Sequence, residues 1–361
     1  MSHLYPLKFK SIFKERIWGG RRLESILGKK LPRGKRIGES WEIADLGSDC
    51  SIVQNGPLRG KTLHQLILSW KEKLVGRLVY RRYGNQFPLL LKFLDAQENL
   101  SIQVHPNDLQ ARRFEKRRWG KSEAWYILSA QRGAHLITGF RKTVSVEFFK
   151  EAIANQSLGR CVQYVPSHNG DVFFIPAGTL HGISGGNLIY EIQQNSDSTY
   201  RVYDYGRVGR DGRLRDLHVD QSLVVSDLSG GHDYKIKRVD FKEGKNEVGY
   251  LVACQYFCTE RLTLRETYRE NILGKQFYLF SCIQGKGQLE YQIQKKNKSL
   301  GIVCGETVMV PAILEKVQIK PRGSVCQILK SYVPDLKELI EKIKRQGADI
   351  QQIKRLNGDN V

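Results

Sequence analysis

Gln103, His105, Glu123 and His181 are the residues of this chain whose types and settings could hold a metal ion. Gln103-Val104-His105 reads as an extended strand, in which residues two apart share a face about 7 Å apart, close enough for both side chains to reach one ion. Glu123 opens the β-rich run Ala124-Trp125-Tyr126-Ile127-Leu128. His181 follows Gly170-Asp-Val-Phe-Phe-Ile-Pro176-Ala-Gly178-Thr-Leu, where an apolar strand ends in a Pro-Gly turn that aims one imidazole. A carbonyl oxygen, a carboxylate and two imidazoles suit zinc or a similar divalent ion with an open coordination position, the mark of a catalytic site more than a structural one.

Charged neighbours extend this set. Lys121 shares the face of Glu123 by the period of two, so it is either a plain ion-pair partner or a titratable group beside the ion. Lys92 interrupts the apolar run Phe87 to Ala96, and a lysine there needs a partner or a task. Arg201 lies in the polar stretch Gln194 to Tyr205, where it suits an anionic substrate, with an ion pair to Asp204 as the plainer reading.

These side chains need strands to aim them and helices to cover the strands. Leu63, Leu66, Ile67, Trp70 and Leu74 follow a helical period behind a Thr62 cap; Pro106 to Glu115 reads as a short helix opened by Asn107 or Asp108; and Thr143 to Gln156 reads as another. Residues 206–235 are polar and glycine-containing, as in a crossover or link. Beyond Val248 the chain becomes β-rich up to Val333. Within it, Gly305-Glu-Thr-Val-Met-Val-Pro311-Ala repeats the spacing of Gly170 to Ala177 with no histidine after it, so the second half reads as a repeat of the fold without the metal site. Pro334 to Lys344 reads as an amphipathic helix, and roughly the last fifteen residues are expected to fray.

Bulk properties narrow the class. At 361 residues, 40% hydrophobic and 10% aromatic, the chain has an ordinary globular composition and room for two domains or one double-layered β assembly. No run of about eighteen apolar residues occurs, and the N-terminus lacks a signal-peptide pattern, so a cytoplasmic protein without a membrane span is expected. The seven cysteines are odd in number and form no CxxC pair, which points to reduced thiols. A net charge of +21 admits nucleic acid as a partner, yet the basic residues are spread along the chain without aromatic interleaving, and a crevice that draws in a phosphorylated substrate accounts for them equally well.

The motifs carry a resemblance. Gly170-x5-Pro176-x-Gly178-x2-His181 resembles the second half of the cupin pattern, with Gly185 at the usual downstream Asn position, while Gln103 stands where cupins often have histidine and Glu123 lies farther from His105 than usual. Those departures, with Gln-Val-His-Pro-Asn, Gly-Lys-Ser-Glu-Ala-Trp-Tyr, the Trp18-Gly-Gly start and Gln194-Asn-Ser-Asp-Ser-Thr-Tyr-Arg201, look like the type I mannose-6-phosphate isomerases in their shorter bacterial form. The likeness runs from about Leu7 to Val225; the C-terminal part matches in pattern only, and the tail after Val333 looks like an extension.

The resemblance implies a mainly β fold with flanking helices: two jelly-roll (cupin) β-barrels, the first metal-binding and the second degenerate. The boundaries expected are a catalytic cupin domain with helical segments over 1–235, a degenerate cupin domain over 236–333 and a helical tail over 334–361. It implies an aldose-ketose isomerase that interconverts mannose 6-phosphate and fructose 6-phosphate through an enediolate, with one zinc per chain on Gln103, His105, Glu123 and His181. Lys121 falls at the position of an acid/base or substrate-contacting lysine and Arg201 at that of the essential arginine. Lys121, Lys92, Glu191 and a metal-bound water all stand as proton carriers, and Trp18, Trp41 and Tyr203 as walls of the sugar pocket. The rivals are a non-catalytic bicupin that binds sugar or metal and a metal-dependent cupin oxygenase; the paired Lys121 and Arg201 weigh against the first and the glutamine ligand against the second.

Overall fold

The computed structural model describes residues 3–209 and 212–357. Strands make up 41% of the chain and helices 19%, in keeping with the mainly β class expected. Four larger sheets carry the fold, and they fall into two pairs.

In the first pair, a seven-stranded sheet runs Lys235–Ile236, Val172–Ile175, Glu123–Ala130, Asn187–Gln194, Leu89–Ala96, Ile37–Ile43, Ile12–Gly20, antiparallel throughout. Its partner is a five-stranded sheet ordered Val162–Pro166, His135–Phe140, His181–Ile183, Ile102–Val104, Tyr200–Tyr203. The period-two pattern decides which way each residue of the larger sheet faces. Leu89, Leu91, Phe93, Tyr126, Val172, Phe174, Leu188 and Tyr190 join the largest core, whereas Leu94, Ala96, Trp125, Ile127, Phe173, Ile175 and Ile189 join Leu136 and Ile183 of the smaller sheet in a separate core. The charged residues Lys92, Glu123 and Glu191 fall on this second face, between the two sheets.

The second half repeats the plan. Its seven-stranded sheet runs Leu7–Lys8, Thr307–Val310, Tyr278–Gln284, Cys326–Tyr332, Cys258–Leu264, Asn246–Ala253, Val239–Glu243, and a four-stranded sheet Tyr268–Asn271, Lys316–Pro321, Lys286–Ile293, Lys296–Val303 lies against it. The glycine echo keeps its geometry, since Gly170 and Gly305 turn at φ 85° and 84°. Each opens the second strand of its seven-stranded sheet, so the two sheets correspond strand by strand. The outer edge strands are exchanged: Leu7–Lys8, from the start of the chain, borders the second half's sheet, and Lys235–Ile236 borders the first's. The large core fills the space between the two seven-stranded sheets, where Tyr190 and Ser331 share a 2.8 Å hydroxyl hydrogen bond, and extends to the four-stranded sheet through Leu289, Val317 and Ile319.

Helices cover the exposed sheet faces. Leu63–Trp70 starts in a capping box on Thr62 and Gln65, and Asp108–Glu115 in one on Asn107 and Gln110, as the cap residues dictate. The helical run through Leu74 is broken at Lys71, whose φ of 47° starts a separate turn. Val146–Ala154 packs with Ile102, Val104 and Phe140 on the outer face of the five-stranded sheet. Two features depart from expectation. The polar stretch 206–235 contains a helix, Val219–Val225, whose buried Val225 joins that same cluster. The tail does not fray at residue 347: after Leu336–Arg345 a further helix, Ile350–Asn357, buries Ile353 and Leu356, and residues 358–361 lie outside the described residues. All seven cysteines are free thiols.

Candidate metal centre and cavity

Strand pairing brings the ligand candidates together. His181 and Arg201 both stand opposite Gln103 in the five-stranded sheet, and Glu123 faces them from the seven-stranded one. His105 lies just past the strand end, where its carbonyl accepts from Gly178 N at 2.8 Å. That bond ties the strand of one imidazole to the turn that aims the other. Ser122 fastens the third ligand to the same frame, its hydroxyl accepting from Ala177 N at 3.1 Å and its amide donating to Gln194 Oε1 at 2.9 Å.

His105, Glu123 and His181 offer ligand atoms within 4.8 Å of one another, all deeply buried. Burial, with the Lys121 charge, pushes His105 down to about 3; burial likewise lowers His181. Burial raises Glu123, but Lys121 and His105 outweigh it and hold the carboxyl well below its usual range. The site is therefore two neutral imidazoles and one carboxylate. His181 Nδ1 lies 2.8 Å from the Thr179 carbonyl and must carry the ring proton to donate there, which leaves the Nε2 lone pair facing Glu123 Oε1 at 3.3 Å. Two acceptors so placed call for a cation between them. Glu123 Oε2, buried, makes no directed hydrogen bond among the described residues and meets the Lys121 ammonium at 3.0 Å and His105 Nε2 at 3.5 Å. The donor set thus fits a divalent ion of the zinc class. Gln103 presents its amide to His181 Nε2 at 3.3 Å, and a half-turn of that amide offers its oxygen instead.

Lys121 lies within this group, its Nζ 2.9 Å from His105 Nε2 and 3.0 Å from Glu123 Oε2. Gln103 and Lys121 line a cavity of about 620 Å³, next to the three buried ligand candidates. In the same lining, Lys92 Nζ pairs with Glu191 Oε1 at 2.8 Å across neighbouring strands, and the Trp125 indole donates to Glu191 Oε2 at 3.0 Å. Burial lowers Lys92, but Glu191 and Glu39 more than compensate, so it is held as a cation; burial and the Glu123 charge raise Glu191. Trp18 and Trp41 form walls. Arg201 reaches the cavity from the five-stranded sheet, Nη1 bonded to the Asp216 carbonyl at 2.8 Å and a buried Nε without a hydrogen-bond partner among the described residues.

Of the residues singled out from sequence, Tyr203 stands apart. A register shift between Arg201 and Tyr203 takes it off the cavity lining, to pack against the helix-covered core with its ring 4.9 Å from that of Tyr205. Among the cavity residues absent from the sequence-derived set are Glu39, Arg16 and Arg215. Glu39 accepts from the Trp41 indole and from Arg16, each at 2.6 Å. Its signal was available, because Glu39 and Trp41 share a strand face. Arg16 alternates with Trp18 in the same way, whereas Arg215 comes from the polar stretch 206–235, which has no periodicity to read.

Comparisons with known proteins agree with this geometry. Residues 6–130 match the family model described as phosphomannose isomerase type I, catalytic domain. A probable mannose-6-phosphate isomerase, GmuF of Bacillus subtilis, is 37% identical over 293 residues, 79% of this chain and 88% of that protein. The mannose-6-phosphate isomerase ManA of the same organism is 38% identical over 287 residues, 79% of this chain and 87% of that one. A crystal structure of the mannose 6-phosphate isomerase from Bacillus subtilis superimposes with a TM-score of 0.82 at 31% identity, covering 90% of this chain and 99% of that chain.

Proposed function

Because the chain belongs to the type I phosphomannose isomerase family, we propose that its cavity interconverts mannose 6-phosphate and fructose 6-phosphate around one divalent ion, zinc, in residues 1–235, with 236–333 a degenerate partner domain and 334–361 a helical tail. The observation that carries this reading is the buried His105, Glu123, His181 cluster beside a cavity whose lining includes Lys121 and Arg201. The rival reading, a non-catalytic bicupin, is not favoured by relatives of this kind.

Gln103, His105, Glu123 and His181 would hold the ion, which supplies Lewis acidity toward the sugar oxygens. The rest falls to the chain. Aldose-ketose exchange removes a proton from the carbon beside the carbonyl and returns it to the neighbouring carbon, with negative charge developing on oxygen between the two steps. Lys121 and Glu191 are the groups placed to move that proton, both in the cavity lining. Lys92 acts as a fixed cation, since Glu191 and Glu39 flank it. Arg201, whose Nε has no hydrogen-bond partner among the described residues, would neutralise phosphate or enediolate charge, and Trp18 and Trp41 would wall the sugar.

The test separates ligand from catalytic roles. His181→Ala is expected to lose bound metal and turnover together. Arg201→Ala is expected to keep the metal and to lose turnover by about 10²- to 10³-fold, the magnitude typical of a removed charge stabiliser. Metal analysis beside a coupled assay reads both, and wild-type rates in both variants would refute the assignment.

A further inference from the structure

We propose that the second half carries a ligand site of its own, for a small phosphorylated sugar, between its two sheets beneath the helix Leu336–Arg345. A cavity of about 290 Å³ opens there, walled by Tyr278, Tyr332 and that helix, with Lys330 and Glu270 in its lining. This proposal stands independently of the assignment of the first cavity.

The floor is a charged cluster in the interior of a β unit. Lys330, its side chain 1% exposed, pairs with Glu260 Oε2 at 2.8 Å and Glu270 Oε2 at 2.7 Å. The Tyr332 hydroxyl donates to Glu260 Oε1 at 2.7 Å, and the Tyr268 hydroxyl donates to Glu270. Burying an ion pair of this kind is a poor route to stability compared with apolar packing. Its position is informative. Glu260 and Lys330 are register partners on neighbouring strands of the second large sheet, and Lys92 and Glu191 are register partners on the corresponding strands of the first. Both pairs close at 2.8 Å and both face into the space between sheets, with the two signs exchanged. The half without metal ligands has thus kept a polar cavity at the place where the other half opens its own.

The mouth defines the ligand class. Lys342 and Arg345 line it, and neither makes an ion pair with a carboxylate among the described residues; the Lys342 ammonium rests 5.9 Å from the Tyr250 ring centroid. Two cations on one helix face, beside a Glu338 that Lys275 already pairs at 2.5 Å and an Asp335 that caps the helix, suit a phosphate group. Inside them, Asn271 and Gln276 bring amides and Tyr278 a hydroxyl that accepts from Gln276 Nε2 at 3.2 Å. These groups, with the Glu270 carboxylate below, match the hydroxyl groups of the sugar that carries the phosphate.

The experiment is hydrogen-deuterium exchange on the metal-loaded full chain, with glucose 6-phosphate, glucose or inorganic phosphate as probe. Glucose 6-phosphate is expected to slow exchange in residues 268–278 and 334–345; glucose is expected to do nothing there and inorganic phosphate to act more weakly. The double substitution Lys342→Gln with Arg345→Gln, on an exposed helix face, is expected to weaken that protection by at least about tenfold in probe concentration. Protection confined to segments around the first cavity would overturn the proposal. So would protection unchanged by the double substitution, or equal protection from glucose or from inorganic phosphate.

Discussion

Glu39 shows how much of the cavity is settled by single residues. Burial raises its pKa, yet Lys92, Arg16 and the Trp41 indole outweigh burial and bring it down to about 2. A carboxyl held lower in the folded than in the unfolded chain contributes stability above the unfolded value near 4.5, and that contribution is lost as pH falls toward 2. Glu39→Gln is therefore expected to lower stability at neutral pH by on the order of 3 kcal/mol at most, and the gap from wild type should close as the pH of a thermal-melt series falls from 4.5 toward 2. A gap that persists at the acid end would mean the ion pairs contribute nothing. The same residue scale separates Trp41 from Tyr203 among the three aromatic candidates. Trp41 walls the cavity and Tyr203 does not, so Trp41→Ala should raise KM clearly more than Tyr203→Ala.

At the scale of elements, the turn Pro176-Ala177-Gly178 is what aims the imidazole of His181 at His105 and Glu123. Gly178 adopts φ 92°, donates its N–H to His105 and accepts from Asp227 N at 2.8 Å, so one residue joins both imidazole-bearing segments to the loop before residue 230. A side chain there is strained, and its Cβ would approach the Val225 carbonyl at 3.2 Å. Gly178→Ala is expected to cost about 1–3 kcal/mol and to weaken metal binding, read by denaturant melts and a metal titration. Asn107→Ala, which removes the cap of Asp108–Glu115, should cost about 1 kcal/mol. Elements were legible in the sequence where period and caps agree: Thr62 and Asn107 mark their helices, and Gln103 with His105 shares a strand face. Val219–Val225 was not legible, being a short helix in a polar stretch that forms because Val225 finds a core supplied by distant strands. Ile350–Asn357 was missed for the same reason, since Ile353 and Leu356 are buried only by packing from afar.

At the scale of the whole molecule, the ligand types were readable from residue chemistry, but which strands meet was not. Nothing in the sequence states that Lys92 stands opposite Glu191 or Lys330 opposite Glu260, because register is a property of paired strands. The echo at Gly305 announced a repeat, whereas the exchange of edge strands that joins the halves through Leu7–Lys8 and Lys235–Ile236 emerges only in three dimensions. The charge of +21 is likewise a whole-molecule property, and the cavity keeps a share of it, with Arg16, Lys92, Lys121, Arg201 and Arg215 against Glu15, Glu39, Glu191 and Asp197. Such a field should speed capture of an anionic substrate, so kcat/KM for mannose 6-phosphate is expected to fall as ionic strength rises, with kcat changing less. The most direct test of the account strips the full chain with a chelator, restores zinc, and follows mannose 6-phosphate to fructose 6-phosphate in a coupled assay. Turnover that vanishes on stripping and returns with about one zinc per chain is the result expected from a single site of this class; a zinc-loaded protein without turnover, or a stripped protein with full turnover, would contradict it.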